Sequence, residues 1–390
     1  MRLRKASLWA SFVIALIALF AVATQSRLNG LEMGGDFVQY WSAGRLNLQG
    51  KSPYNVEQLA ELQRPHEPAG GQALIMWLPP WAYALVMPVG MLPYTIARVA
   101  WLLLEVAIVF ACTNWLWAHY RGAKGWVWLA WIVSFLHWAT LEALRGGQVS
   151  PFVFAGAVCF LAAIQRKQPW LAGMSLAPVL LKPHLLYLFS LAALLWSFKE
   201  RQWRVLSGCG VSLLAGTALA CLPNRHLLAQ YIESARQQPP DQWITATIGG
   251  QLRLHFGAEH FWLQFVSVVV GLAWLAWYWR RHHHTWNWWK RTPPLAMVSL
   301  GTAAYGWRHD QIVTLLAILP LLAWVVTAKW PALCKGIFLG LYLSINWIAI
   351  ASTQPQDWFW WLPWAVLAWY LVAQRLQRKF STPGAAETIP

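Results

Sequence analysis

Four short polar stretches interrupt an otherwise apolar chain of 390 residues, and they hold most of the side chains able to do chemistry. The first, MGGDFVQYWSAGRLNLQGKSPYN, runs from Met33 to Asn55 and carries Asp36 behind Gly34 and Gly35, with Tyr40 and Trp41 after it. A carboxylate at a lipid–water boundary loses hydration and becomes a better proton acceptor; the alternative is a plain solvated loop acid. The second is Leu144-Arg145-Gly146-Gly147-Gln148. Its glycines let backbone approach a ligand closely, while Arg145 can grip a phosphate and Gln148 a hydroxyl, unless the stretch is only a tight polar turn. The third, Lys182-Pro183-His184, puts an ionisable group near membrane depth, either for function or as a snorkelling lysine. In the fourth, Trp307-Arg308-His309-Asp310, two basic residues beside an acid could bind a phosphate, position an acceptor, or pair with one another as structure.

Weaker candidates are Arg98, Glu105, Glu142 and the polar segment 222–259, with Arg225, Arg236, Asp241, Gln251 and Arg253. His282-His283-His284 has the look of a metal motif, but it lies among Trp and Arg and is expected to be an interfacial basic loop. No HExxH, Walker A, GxSxG or GxGxxG occurs in a workable setting. The five cysteines are scattered through apolar stretches and suit packing better than metal binding. No metal and no other cofactor is expected.

The elements that position these residues follow from composition. The chain is 58% hydrophobic and 11% charged, against roughly 25% charged in soluble domains. It also has 31 tryptophans, residues that favour the membrane interface. A net charge of +16 would suit nucleic-acid binding if it formed a basic face. The basic residues instead sit in short loops between apolar runs, which is the positive-inside pattern and excludes nucleic acid as the expected partner.

Spans of about 20 apolar residues are needed to cross a bilayer, and locally shorter ones are tolerated. The expected crossings are 7–24, 96–118, 126–141, 151–164, 170–181, 185–198, 205–222, 261–278, 293–307, 312–328, 337–351 and 358–373. That gives an all-α polytopic protein of about twelve spans with both termini cytoplasmic. The run 79–93 is short and broken by Pro88, and a full crossing there would invert the charge bias of several later loops. It is expected to lie at the interface, within a first outer loop spanning 25–95. Residues 1–380 form a single membrane domain in this scheme, and 381–390 a disordered cytoplasmic tail.

The succession GGDFVQYWSAGRLNLQGKSPYN, PPWAYALVMPVGMLPYTIARVAWLLLE, GGQVSPFVF and RKQPWLAGMSLAPVLLKPH resembles family 87 of the glycosyltransferases, polytopic enzymes of the GT-C superfamily. The likeness covers about 36–184 and reaches more faintly to Tyr305–Asp310. It implies inverting transfer of a sugar, mannose in the best-known members, from a polyprenyl-phosphate donor on the outer side of the inner (plasma) membrane. An Asp in the first outer loop is then the general base, and Asp36 stands at that place. Gly147, Gln148 and Lys182 match recurrent family positions, whereas Arg308 stands where an acid is expected before the late His-Asp pair.

The expected function is thus membrane glycosyl transfer to a lipid or glycan acceptor, with Asp36 as base. Lys182 and Arg145, helped by Arg308 or His184, are expected to stabilise the leaving phosphate, with Tyr40, Gln148, His309 and Asp310 completing the substrate site. A polymerase or ligase of lipid-linked glycans is the first rival, with Arg225, Arg236 and Arg253 as its carriers. A transporter is the second, for which only Glu105 lies clearly at mid-depth.

Overall fold

A computed structural model describes residues 35–66, 72–238, 240–352 and 354–380. The expected first crossing at 7–24 and the tail 381–390 lie outside them. The described residues form α-helices and short 3-10 turns with no strand, as they must where hydrocarbon offers no partner for a free backbone N–H or C=O.

The helices in chain order begin with α1 Phe37–Leu48, α2 Val56–Gln63, α3 Tyr83–Gly90, α4 Tyr94–His119, α5 Val127–Phe135 and α6 Trp138–Gly146. Next come α7 Ser150–Gln165, α8 Pro169–Met174, α9 Leu176–Val179, α10 Tyr187–Lys199, α11 Trp203–Cys221 and α12 Leu227–Gln237. The last six are α13 Ile248–Phe256, α14 Val266–His282, α15 Trp288–Thr302, α16 Leu315–Thr327, α17 Ala332–Ala351 and α18 Leu362–Phe380.

Five of these segments are long and apolar enough to cross a membrane: α4, α11, Phe261–Thr285, Arg308–Thr327 and α17. A sixth arises if Lys124–Phe135 and Trp138–Gly146, bent by 61°, count as one span. The expectation of about twelve crossings therefore stands only in its coarser form, a helical bundle with several membrane-length spans. Expected crossing 170–181 is two short helices, α8 and α9, separated at Ser175, and neither is long enough to span. Expected crossing 293–307 begins earlier, as α15, because the Asn287 side chain caps the Lys290 N–H and Pro293 and Pro294 are absorbed within the helix.

The bend between α5 and α6 has an identifiable cause. The backbone N–H of Trp138, left outside the helical ladder, donates to Asn346 Oδ1 of α17 at 3.1 Å. His137 Nε2 meets Thr314 Oγ1 at 3.0 Å in the same place. Partners on neighbouring helices thus satisfy what the break exposes.

Segment Arg308–Thr327 runs through the middle of the bundle and is almost wholly buried, whereas the four other membrane-length segments bury a third or less of theirs. The polar turn at its start is therefore held at the heart of the protein. Against this bundle lie α1 and α3. The eight residues of α3 reach only about 12 Å, far less than a hydrocarbon core. The α1–α3 crossing is closed by glycines: a Cβ on Gly44 would lie 2.4 Å from the Val86 carbonyl oxygen, and one on Gly90 2.5 Å from the Arg45 nitrogen.

Gly44→Ala must push those backbones apart, an overpacking cost of about 1–3 kcal/mol. A Cβ on Gly125 meets nothing within 4 Å. Thermal unfolding in detergent should therefore show a lowered midpoint for Gly44→Ala and none beyond error for Gly125→Ala; equal midpoints for the two would contradict this packing.

Candidate functional site

The site begins where two glycine turns cross. α1 starts directly after Asp36, and α6 ends at Gly146 with Gly147 in the left-handed region at φ 63°. A Cβ on Gly35 would fall 2.6 Å from the Gly146 backbone, and one on Gly147 2.7 Å from Phe37 Cβ. Only glycine permits this approach, and it delivers Gln148 to Asp36. Gln148 Nε2 donates to Asp36 Oδ2, while its Oε1 accepts from the Tyr40 hydroxyl at 3.3 Å. Asp36 Oδ1 makes no hydrogen bond among the described residues, and the side chain is half-exposed.

The crossing is braced from α4. Arg98 Nη2 donates to the Leu144 and Arg145 carbonyls at 2.7 and 2.8 Å, and Trp101 Nε1 to the Gly147 carbonyl at 3.0 Å. These bonds satisfy the carbonyls that the end of α6 leaves unpaired. Arg98 is thus a structural clamp, and Glu105, buried in α4, lies 3.9 Å from its Nη1. Burial pushes the Tyr40 phenol well above its ordinary range, and the carboxylates of Asp36, Asp310 and Glu105 add to the effect. Tyr40 therefore stays a neutral hydroxyl donor.

The second half of the site centres on Asp310, which is fully buried. Its Oδ1 accepts from Lys182 Nζ at 2.6 Å and from Ser150 Oγ at the start of α7. Its Oδ2 accepts from the Trp307 N–H at 3.0 Å. Lys182, itself nearly buried, also has Nζ 3.3 Å from His309 Nε2 and 5.5 Å from the centre of the Trp307 ring. Asp36 acts electrostatically on both Tyr40 and His309, so the two halves belong to one region.

His184 behaves differently from the expectation of a phosphate-binding cation. Burial pushes its imidazole down to about 4, with Asp310 opposing the shift and Lys182 adding to it. The ring is accordingly neutral near pH 7, and its Nε2 has no hydrogen-bond partner among the described residues.

Arg308 is committed elsewhere. Its Nη2 lies 2.5 Å from Glu142 Oε1 and donates to the Ala349 carbonyl at 2.6 Å, with the guanidinium 4.0 Å over the Phe359 ring. It ties α6 to α17. Arg145 is exposed on the last turn of α6, the site's remaining cation from the expected set. Arg253 is buried and bonds the Trp243 carbonyl at 3.0 Å and the Ala258 carbonyl at 2.6 Å, so it holds a loop together; Arg225 and Arg236 are exposed.

Two residue groups were not anticipated. Ser150 was hidden by its ordinary place as a helix-starting residue. Trp77 and Trp243 are half-buried and join Tyr305 and Trp307 in one aromatic cluster, but nothing marks two tryptophans among 31. Among the described residues no group of three or more His, Cys, Asp or Glu is placed to hold a metal ion. Chemically, the arrangement joins a carboxylate with one oxygen available, a charge-compensated ammonium, neutral hydroxyl and imidazole groups, and aromatic faces. That set suits proton abstraction beside a developing anion.

The sequence model described as glycosyltransferase family 87 matches residues 78–292, more than half of the chain. The match includes Arg145, Gln148, Lys182 and His184 and ends between Asp36 on one side and His309 and Asp310 on the other. No curated protein and no solved structure matches the chain.

The buried pair gives a direct test of the geometry. Lys182→Met leaves the Asp310 charge without its ammonium, a loss of about 3–5 kcal/mol, whereas Lys182→Met combined with Asp310→Leu removes both charges together. In detergent the single variant is expected to melt below the double variant. A double variant that melts below both singles would show that the pair is not coupled in this way.

Proposed function

Since the chain belongs to glycosyltransferase family 87, and is a membrane glycosyltransferase on that ground, we propose that it moves a hexose from a polyprenyl-phosphate carrier to a lipid or glycan acceptor. Mannose is the first sugar to test. Asp36 Oδ1 takes the proton from the acceptor hydroxyl, whose oxygen forms the new bond to the anomeric carbon. The bond from that carbon to the phosphate oxygen breaks, its electron pair leaves with the polyprenyl phosphate, and the configuration inverts.

The observation that carries this reading is the anchoring of Asp36 through one oxygen only. Gln148 fixes Oδ2, Tyr40 fixes Gln148, and Oδ1 is left for the acceptor. Lys182 and Arg145 are the cations that face the growing charge on the leaving phosphate. Asp310 and Ser150 act on Lys182 by orienting it, and His309 lies beside its ammonium. Arg308 and His184 drop out as phosphate-binding cations, the first because Glu142 holds it and the second because it is neutral.

The topology proposed with this mechanism keeps the charge-based scheme. Both termini lie on the cytoplasmic side of the inner membrane, and the Asp36 site opens on the outer face. A phosphate met by two cations has no need of a bridging divalent metal.

Membranes carrying the protein, supplied with polyprenyl-phosphate mannose and polyprenyl-phosphate glucose, provide the test. Asp36→Asn should lower transfer about 100-fold or more, the usual worth of a general base. Gln148→Ala should lower it by a smaller factor, and EDTA should leave it unchanged. Transfer by Asp36→Asn within a few-fold of wild type would remove Asp36 from the mechanism.

A further inference from the structure

Beside Lys182 lies an aromatic surface that the proposed mechanism does not use. Tyr305 and Trp307 lie in the non-helical stretch just before the 3-10 turn that starts at Arg308, and their side chains stand next to each other. Their rings are nearly parallel, 6.4 Å apart at 16°. Trp243 crosses both edge-on, 6.1 Å from Tyr305 and 5.5 Å from Trp307, and Trp77 follows at 6.2 Å from Trp243.

This cluster is built and held, not a chance meeting of side chains. The Ala246 N–H donates to the Gly306 carbonyl at 2.9 Å, and the Gly306 N–H to Thr245 Oγ1 at 3.2 Å. Arg253 fixes the Trp243 carbonyl from behind. The rings are half-buried, unlike core residues such as Trp101 and Trp138, which are 1% exposed. A half-buried tryptophan rigidly placed at the edge of an ion pair offers an apolar face to whatever sits on that pair.

A second observation identifies the kind of ligand. His184 stands edge-on to Tyr305 at 6.1 Å, and its enclosed Nε2 has no hydrogen-bond partner among the described residues. An isoprenoid would satisfy the rings but leave that nitrogen unpaired. A pyranose offers both, the C–H face of the ring for the aromatics and a hydroxyl for the nitrogen, which the His184 ring turns outward to meet.

We propose that Trp243, Tyr305 and Trp307, with Trp77 behind them and His184 at their edge, form the subsite for the sugar ring of the donor, next to the phosphate position at Lys182. The inference rests on the glycosyl-transfer reading and assigns to these residues the discrimination between a sugar-bearing and a bare carrier. The spacing of the phosphate and sugar positions fits: Lys182 Nζ lies 5.5 Å from the Trp307 ring centre, so one ligand reaches both.

The experiment measures equilibrium binding to the full-length protein in detergent, with Asp36→Asn as the background so that nothing is turned over. The probes are farnesyl phosphate, farnesyl-phosphate mannose and farnesyl-phosphate glucose. Trp243→Ala is expected to weaken at least one hexosyl probe about tenfold and farnesyl phosphate less than twofold, with Trp243→Phe restoring most of the loss. His184→Ala should likewise weaken only the hexosyl probes. Unfolding midpoints of each variant are read alongside, and Trp243→Leu, which keeps apolar bulk without an aromatic face and is expected to show the same selective loss, carries the comparison if Trp243→Ala is unstable.

Equal losses on sugar-bearing and bare probes would make the surface an isoprenoid groove and overturn the proposal. So would unchanged binding in the Trp243 variants. A background protein that binds none of the three probes would refute the donor assignment, and this subsite with it, a pattern separate from one in which the hexosyl probes bind but ignore Trp243.

Discussion

Everything at this site depends on one steric fact: two glycine-bearing turns touch backbone to backbone. Gly35 lies against Gly146, and Gly147, at φ 63°, lies against Phe37. A single methyl group at either contact would separate the start of α1 from the end of α6. Since Gln148 follows Gly147 directly, that separation would take away the one side chain that, among the described residues, holds Asp36 by a hydrogen bond. The clamp formed by Arg98 and Trp101 serves the same contact from α4, by binding the three carbonyls at which α6 ends. The proton acceptor proposed for Asp36 would gain from such fixation, because a freely rotating carboxylate would spread its capacity over both oxygens and over solvent.

The second dependency is electrostatic. Lys182 and Asp310 are placed where neither could be left alone, and each is tolerated because the other is there. Ser150 and the Trp307 N–H complete the coordination of the carboxylate, so the pair is rigid as well as neutral. An ammonium held this way is prepaid in its desolvation. A phosphate bound there as proposed would find it already oriented and would not have to strip or reorder it.

The sequence was most informative where polar residues broke an apolar background. Asp36, Gln148, Lys182, His309 and Asp310 stood out for that reason, and the structure brings them into one region. The same criterion overvalued Arg308 and Arg253. Both are polar residues in apolar surroundings too, but their partners, Glu142 and the carbonyls of Trp243 and Ala258, are fixed only by the tertiary fold. Span counting failed in a related way. Hydropathy sees the apolar run across 126–141 as continuous, while the break at residues 136–138 depends on Asn346, 208 positions from Trp138. The glycines were legible as places of close approach, but not that each would pack against the other's turn.

The departures from expectation change what kind of site this is. With Arg308 bound to Glu142 and His184 neutral, the cationic cluster expected around a phosphate shrinks to one compensated lysine and one exposed arginine. A site rich in uncompensated cations would hold a polyprenyl phosphate tightly whether or not it still carried a sugar, and the spent carrier would then obstruct turnover. If the donor is the one proposed, compensation by Asp310 would weaken that general attraction and shift selectivity onto contacts that only the sugar can make. The rings beside Lys182 and the His184 nitrogen, which has no partner among the described residues, are the contacts proposed for that role. On this view the modest net charge at Lys182 and the aromatic surface next to it are two parts of one solution: the first lets the spent carrier leave, and the second recognises the loaded one.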